Sequence, residues 1–191
     1  MRARVTKVLA FVAIVAPALS PAAAQSPRWL IEGRGGFSAV TGGFGDTQKT
    51  GYDLGAGAGY LLAKHWRAHL DYDFIHTDGK AATVGGLTAP DYKTHLVMGG
   101  VGYEFPVRSL PVAVELGAGA GLSRFQPTGS TGVSAQNYFG VNGGARIIFG
   151  PNRWLRAELT PQVDVAFADK ARLGESRAWL WPVGLGVQYR F

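Results

Sequence analysis

The chain reads as all-β: an eight-stranded, antiparallel, up-and-down transmembrane β-barrel. Three observations predict it. Apolar and polar residues alternate at a period of two through eight long runs, which puts one class of side chain on each face of a strand. The connections alternate between short turns and long, glycine-rich polar loops. The apolar parity carries aromatic rings near the run ends while the other parity carries charge. A soluble barrel has the reverse polarity, with an apolar interior.

The first segment is expected to be absent from the mature protein. Residues 1–24 hold a basic start (Arg2, Arg4, Lys7), an apolar run from Val8 to about Leu19 and the small residues Ala22-Ala23-Ala24 before Gln25. That is the layout of a cleaved secretory signal. The run is shorter than the roughly 20 residues a spanning helix needs, and Pro17 and Pro21 interrupt it. One exported domain, residues 25–191, remains. Losing Arg2, Arg4 and Lys7 lowers the net charge from +6 to +3, too weakly basic to suggest a nucleic-acid partner. With Cys 0 in the sequence there are no disulfides, thiolate metal ligands or thiol nucleophiles.

The runs, in order, are Arg28 to Val40, Gly51 to Leu62, Trp66 to Thr77, Tyr92 to Phe105, Val112 to Phe125, Gln136 to Phe149, Trp154 to Phe167 and Arg177 to Phe191. Each reaches the roughly 9–11 residues of a tilted spanning strand. Short turns fall at Ala63 to His65, Pro106 to Pro111 and Gly150 to Arg153; long loops fall at Thr41 to Thr50, Asp78 to Asp91, Gln126 to Ala135 and Ala168 to Ser176. Short turns on one rim and long loops on the other are the pattern of an outer-membrane barrel, the short turns being periplasmic.

Parity assigns the faces. In the third run Trp66, Ala68, Leu70, Tyr72 and Phe74 oppose Arg67, His69, Asp71 and Asp73; in the seventh Leu155, Ala157, Leu159, Val163, Val165 and Phe167 oppose Arg156, Glu158, Gln162 and Asp164. The expected outward rings at the short-turn rim are Trp29, Tyr60, Trp66, Tyr103, Phe105, Phe149, Tyr189 and Phe191. Those at the long-loop rim are Tyr52, Phe74, Phe125, Phe167, Trp179 and Trp181. They form two interfacial girdles.

The signal ending in "AAAQ", the alternating runs, "GAGAGY" and the terminal "VGLGVQYRF" together resemble the small outer-membrane β-barrel family that includes the OmpA transmembrane domain, OmpX and the opacity-type proteins. The resemblance covers the whole mature chain. It implies that the last strand, through Leu185, Val187, Tyr189 and Phe191, is the signal read by the outer-membrane assembly machinery. Nothing in the chain matches the wall-binding domain of full-length OmpA, so wall anchoring is not expected.

Chemistry-bearing stretches are few. "DLGAGAGYLL" and "ELGAGAGLSR" look like phosphate-cradling loops, but such a loop joins a strand to a helix, and here both lie inside strands with their glycines inward. His65, His69, His76 and His95 suggest a metal site beside Asp71 and Asp73, yet His76 has outward parity and His65 sits in a turn, so ligands do not converge from one strand. No metal is predicted, and no cofactor. Ser123, His76 and His95 are loose candidates for an acyl-transfer enzyme of the lipid A modifying kind, and no motif links them; no catalytic residue is assigned.

What remains is the lumen. Inward parity collects Glu32, Arg34, Arg67, Glu104, Glu115, Arg146, Arg156, Glu158 and Arg190 toward the periplasmic half and Asp53, Asp71, Asp73 and Asp164 in the upper half. Unpaired buried charge is costly, so these are expected to pair as a plug, with Arg156 and its neighbours meeting Glu115 and Glu158. The inward glycines favour the alternative, a small porin-like channel for ions or small solutes. The expected function is that of a non-enzymatic monomer contributing to envelope integrity and surface-loop interactions. Lys49, Lys80, Lys93, Lys170 and Arg172, in or beside the loops, are the expected contacts to outer-membrane lipid and lipopolysaccharide phosphates.

Overall fold

The structure, a computed structural model, describes residues 28–81, 89–107, 109–128, 134–150, 154–173 and 175–191. The expected signal segment, the middle of the Asp78 to Asp91 loop, part of the Gln126 to Ala135 loop, residues 151–153 of the turn after Gly150 and the Arg172 side chain lie outside the described set.

The chain forms the expected closed barrel, in the order β1 to β8. The strands are β1 (Trp29–Thr41), β2 (Gly51–Leu61), β3 (Trp66–Thr77), β4 (Tyr92–Val107), β5 (Val112–Pro127), β6 (Gln136–Phe149), β7 (Leu155–Phe167) and β8 (Arg177–Arg190). β8 closes on β1 antiparallel, from Leu30 opposite Arg190 to Thr41 opposite Trp179. Among the described residues no helix is long and apolar enough to cross a membrane. Every ladder is antiparallel, and closure leaves no free edge. Pro161, which has no N–H to donate, sits where β7 loses its pairing with β6 between Gln162 and Leu159.

Side chains alternate as the parity requires. Leu185 is 71% exposed on the outside while Gln188 and Arg190 of the same strand are buried within. Trp29 meets Tyr60 at 4.8 Å and Trp66 meets Tyr103 at 5.1 Å near the short-turn rim; Phe139 stacks on Phe167 at 6.1 Å and Trp179 on Trp181 at 6.4 Å at the other.

Phe125 departs from the expected girdle. It shares the inward parity of Glu115 and Ser123 and is buried, in a cluster with Phe44, Ile75, Leu96, Met98, Tyr138, Ala166, Ala178 and Leu180. The cluster fills the long-loop end of the barrel. Its lid is the first long loop, where a short helix, α1 (Gly43–Thr47), follows Gly42 with φ 73°, a value glycine adopts without strain. Phe44 of α1 lies edge-on to Tyr92 at 5.2 Å and to Phe125 at 5.6 Å. A second short helix, α2 (Lys170–Leu173), lies in the last long loop. Phe44→Ala should cost about 3–5 kcal/mol, the usual range for an emptied core phenylalanine. The compact, heat-modifiable gel form should then disappear at lower temperature, and an unchanged transition would mean that the lid does not pack.

Candidate functional site

The lumen below this apolar layer is ionic, and its side chains fall into two groups. In the first, Arg34 reaches Glu32 at 3.0 Å and Asp73 at 2.7 Å, and lies 4.0 Å from Asp71. Arg67 lies 3.3 Å from Glu32 and 2.7 Å from Glu115. Arg146, from β6, spans to Glu32 at 3.0 Å, Asp71 at 2.9 Å and Glu115 at 2.9 Å. His69 Nδ1 sits 2.7 Å from Asp71 Oδ2. These charges come from β1, β3, β5 and β6, so the interior side chains tie together strands that share no ladder.

The second group is nearer the short-turn rim. Glu104 receives Arg156 at 3.2 Å and pairs with Arg190, whose Nε donates to Gln188 Oε1 at 2.9 Å. Arg156 therefore meets Glu104, where Glu115 and Glu158 were expected. Glu158 makes no ion pair among the described residues, and both of its carboxylate oxygens are buried without a hydrogen-bond partner. Register explains the difference: Arg156 and Glu158 are neighbours on one strand, whereas Arg67 and Arg146 approach Glu115 from β3 and β6. Asp164 accepts from Gln162 Nε2 at 2.9 Å and 3.1 Å.

The inward glycines stand against charged side chains. A Cβ at Gly57 would stand 2.5 Å from Asp71 Oδ1 and 2.9 Å from Glu32 Cγ, and one at Gly102 would stand 2.6 Å from Glu115 Oε1. The long charged side chains occupy that space, so any larger residue there would have to displace a carboxylate. Within the first group a cavity of about 20 Å³ is lined by His69, Asp71, Glu115, Asn142, Arg146 and Gln162, room for a single water, and a larger one of about 200 Å³ lies at the short-turn end beside Glu104 and Arg156.

The loose enzymatic candidates do not converge. Ser123 is buried on the inner face, while His95 is on the outer face, its Nδ1 2.8 Å from the Tyr72 hydroxyl. Both glycine-rich stretches lie within β2 and β5, without the strand-to-helix turn a phosphate loop needs.

Leu185, Val187, Tyr189 and Phe191 take the outward face of β8, and Tyr189 stacks with Phe191 at 6.0 Å. Phe191 N donates to Trp29 O at 2.9 Å and Trp29 N to Phe191 O at 3.0 Å, so the terminal residue is bonded into the closing seam.

The family model for the outer membrane protein beta-barrel domain matches residues 8–191. The chain belongs to this family. A comparison with curated protein sequences finds no significant match. Among solved structures, this outer-membrane barrel is similar to Neisserial surface protein A at 16% identity and a TM-score of 0.68, covering 85% of this chain and 97% of that one. It is also similar to OprG of Pseudomonas aeruginosa at 16% identity and a TM-score of 0.58, covering 88% and 98%. Ail of Yersinia pestis matches at 18% identity and a TM-score of 0.52, covering 87% and 100%. These likenesses show the shared fold.

Sequence reasoning missed the apolar layer. Ile75, Leu96 and Met98 had inward parity and signalled it; Phe44, in a glycine-rich loop without periodicity, gave no sign.

Proposed function

We propose that this outer-membrane barrel is a plugged, non-enzymatic monomer that contributes to envelope integrity and presents its long-loop rim at the cell surface. The observation that supports this reading is the closure of the lumen in two layers: an apolar lid around Phe44 above an ion-paired network around Arg146. Ions entering such a lumen would have to break several charge-assisted contacts at once. Purified protein in planar bilayers should therefore give no steady open-channel conductance. A large, steady conductance would replace this reading with that of a small channel.

The outer surface suggests how the barrel sits in lipid. Lys93 and Arg124 are exposed on the outward parity of β4 and β5 at the long-loop end, and neither makes an ion pair among the described residues. They join Lys49 and Lys170 as candidate contacts for lipopolysaccharide phosphates. Lys80 is tied inward instead, its Nζ donating to Gly45 O at 2.5 Å. Assembly through the outward face of β8 completes the proposal.

A further inference from the structure

The neck of the second long loop brings together three side chains that the lumen does not use. Thr77 opposite Tyr92 is the last pair of the β3–β4 ladder, and His76 lies opposite Lys93. One residue beyond that ladder, Asp78 leaves β3 and Asp91 enters β4. His76 and Asp78 are two apart on one strand and so share a face, and continuing the antiparallel register puts Asp91 across from Asp78. One imidazole and two carboxylates thus occupy three corners of a four-residue tile, with Lys93 at the fourth. Their ligand atoms all lie within 4.8 Å of one another, and His76 Nε2 is 3.3 Å from Asp78 Oδ1. An ion with bonds of about 2.0–2.1 Å in tetrahedral geometry has ligand-to-ligand edges of about 3.3–3.4 Å.

Two further observations favour an ion. Like charges directly opposite across an antiparallel pair destabilise it, and the carboxylates of Asp78 and Asp91 lie across from each other, one beside His76 Nε2 and the other accepting from the Gly79 N–H at 2.9 Å. The backbone beneath them is also held: Lys49 N donates to Asp78 O at 2.9 Å, and Thr128 N to Asp91 O at 2.8 Å. The ligands therefore start from fixed positions, which lowers the cost of ordering them on binding.

We infer that His76, Asp78 and Asp91 form a divalent transition-metal site that clamps the neck of this loop. The donor set of one nitrogen and two carboxylates suits Zn²⁺ and its neighbours more than soft ions. With three protein ligands and Lys93 in the fourth corner, water completes the coordination. Sequence parity hid the site because the ligands converge from two strands and a loop neck.

Zinc titration tests the inference. Untagged protein, folded in detergent and stripped with EDTA, is titrated with Zn²⁺ by calorimetry, with folding of every variant verified by heat-modifiable mobility. The parent should bind one ion saturably. Asp78→Asn, which replaces a largely exposed carboxylate, and His76→Ala should each weaken binding about tenfold or more. Lys93→His, which turns the opposing cation into a fourth ligand, should tighten it about tenfold or more. No saturable uptake by the folded parent would overturn the site, as would equal affinity in the parent and His76→Ala, since zinc would then sit on His65, His69 or His95.

Discussion

Arg146→Met should destabilise the barrel by about 3–5 kcal/mol, the cost of leaving buried charge without its partner. The expectation rests on the balance of charge in the lumen. The buried carboxylates of Glu32, Asp53, Asp71, Asp73, Glu115, Glu158 and Asp164 outnumber the guanidiniums of Arg34, Arg67 and Arg146 in this layer, so a lost cation deepens an existing excess. Arg146 bridges Glu32, Asp71 and Glu115, so its loss takes a cation from all three. Methionine keeps most of the side-chain length, which separates the charge effect from a void. The same balance gives the opposite sign for Glu158→Gln. That change removes a buried, unpartnered carboxylate and should be neutral or stabilising. Urea unfolding in detergent micelles measures both, and equal losses in the two variants would sink the charge-balance argument.

Deleting Phe191 should have its largest effect in cells. In the purified protein the deletion removes one outward ring, worth about 1.5–3 kcal/mol if buried like a core side chain. It also removes two seam hydrogen bonds to Trp29, at about 1 kcal/mol net each. The rest of the β1–β8 ladder survives, so the shortened chain should still refold in detergent and show its heat-dependent gel shift. The proposed assembly through the outward face of β8 adds a second effect. The variant should therefore fall well below parental levels in the outer membrane and accumulate in the periplasm, as seen by cell fractionation. Normal outer-membrane levels would reduce the terminus to an ordinary closing strand.

The barrel was legible because its rule is short-range. Period-two alternation is written into each run, and β3 and β6 begin and end where the pattern does. The rule stops at the loops and at depth within the barrel. Phe125 has the parity of Glu115 and lies inside, not in the outward girdle. The partner of Arg156 depends on how far one strand is staggered against another around the barrel, which no single run encodes. Phe44 reached the core through a loop, and His76, Asp78 and Asp91 met through the continuation of a ladder into a loop. Parity gives the face of a residue; depth and cross-barrel company come from closure.

The span of the Arg146 contacts bears on the order in which the barrel can form. Arg146 and Glu32 are 114 positions apart in sequence, and β1 finds β8 only when both ends of the domain are present. Contacts of such separation carry a large loop-closure cost before they return anything. A sheet of six or seven strands lying in the bilayer would turn bare guanidiniums and carboxylates toward hydrocarbon, where charge is expensive. Partly zipped intermediates are thereby penalised, closure and insertion become coupled, and few open sheets are expected to persist in the bilayer.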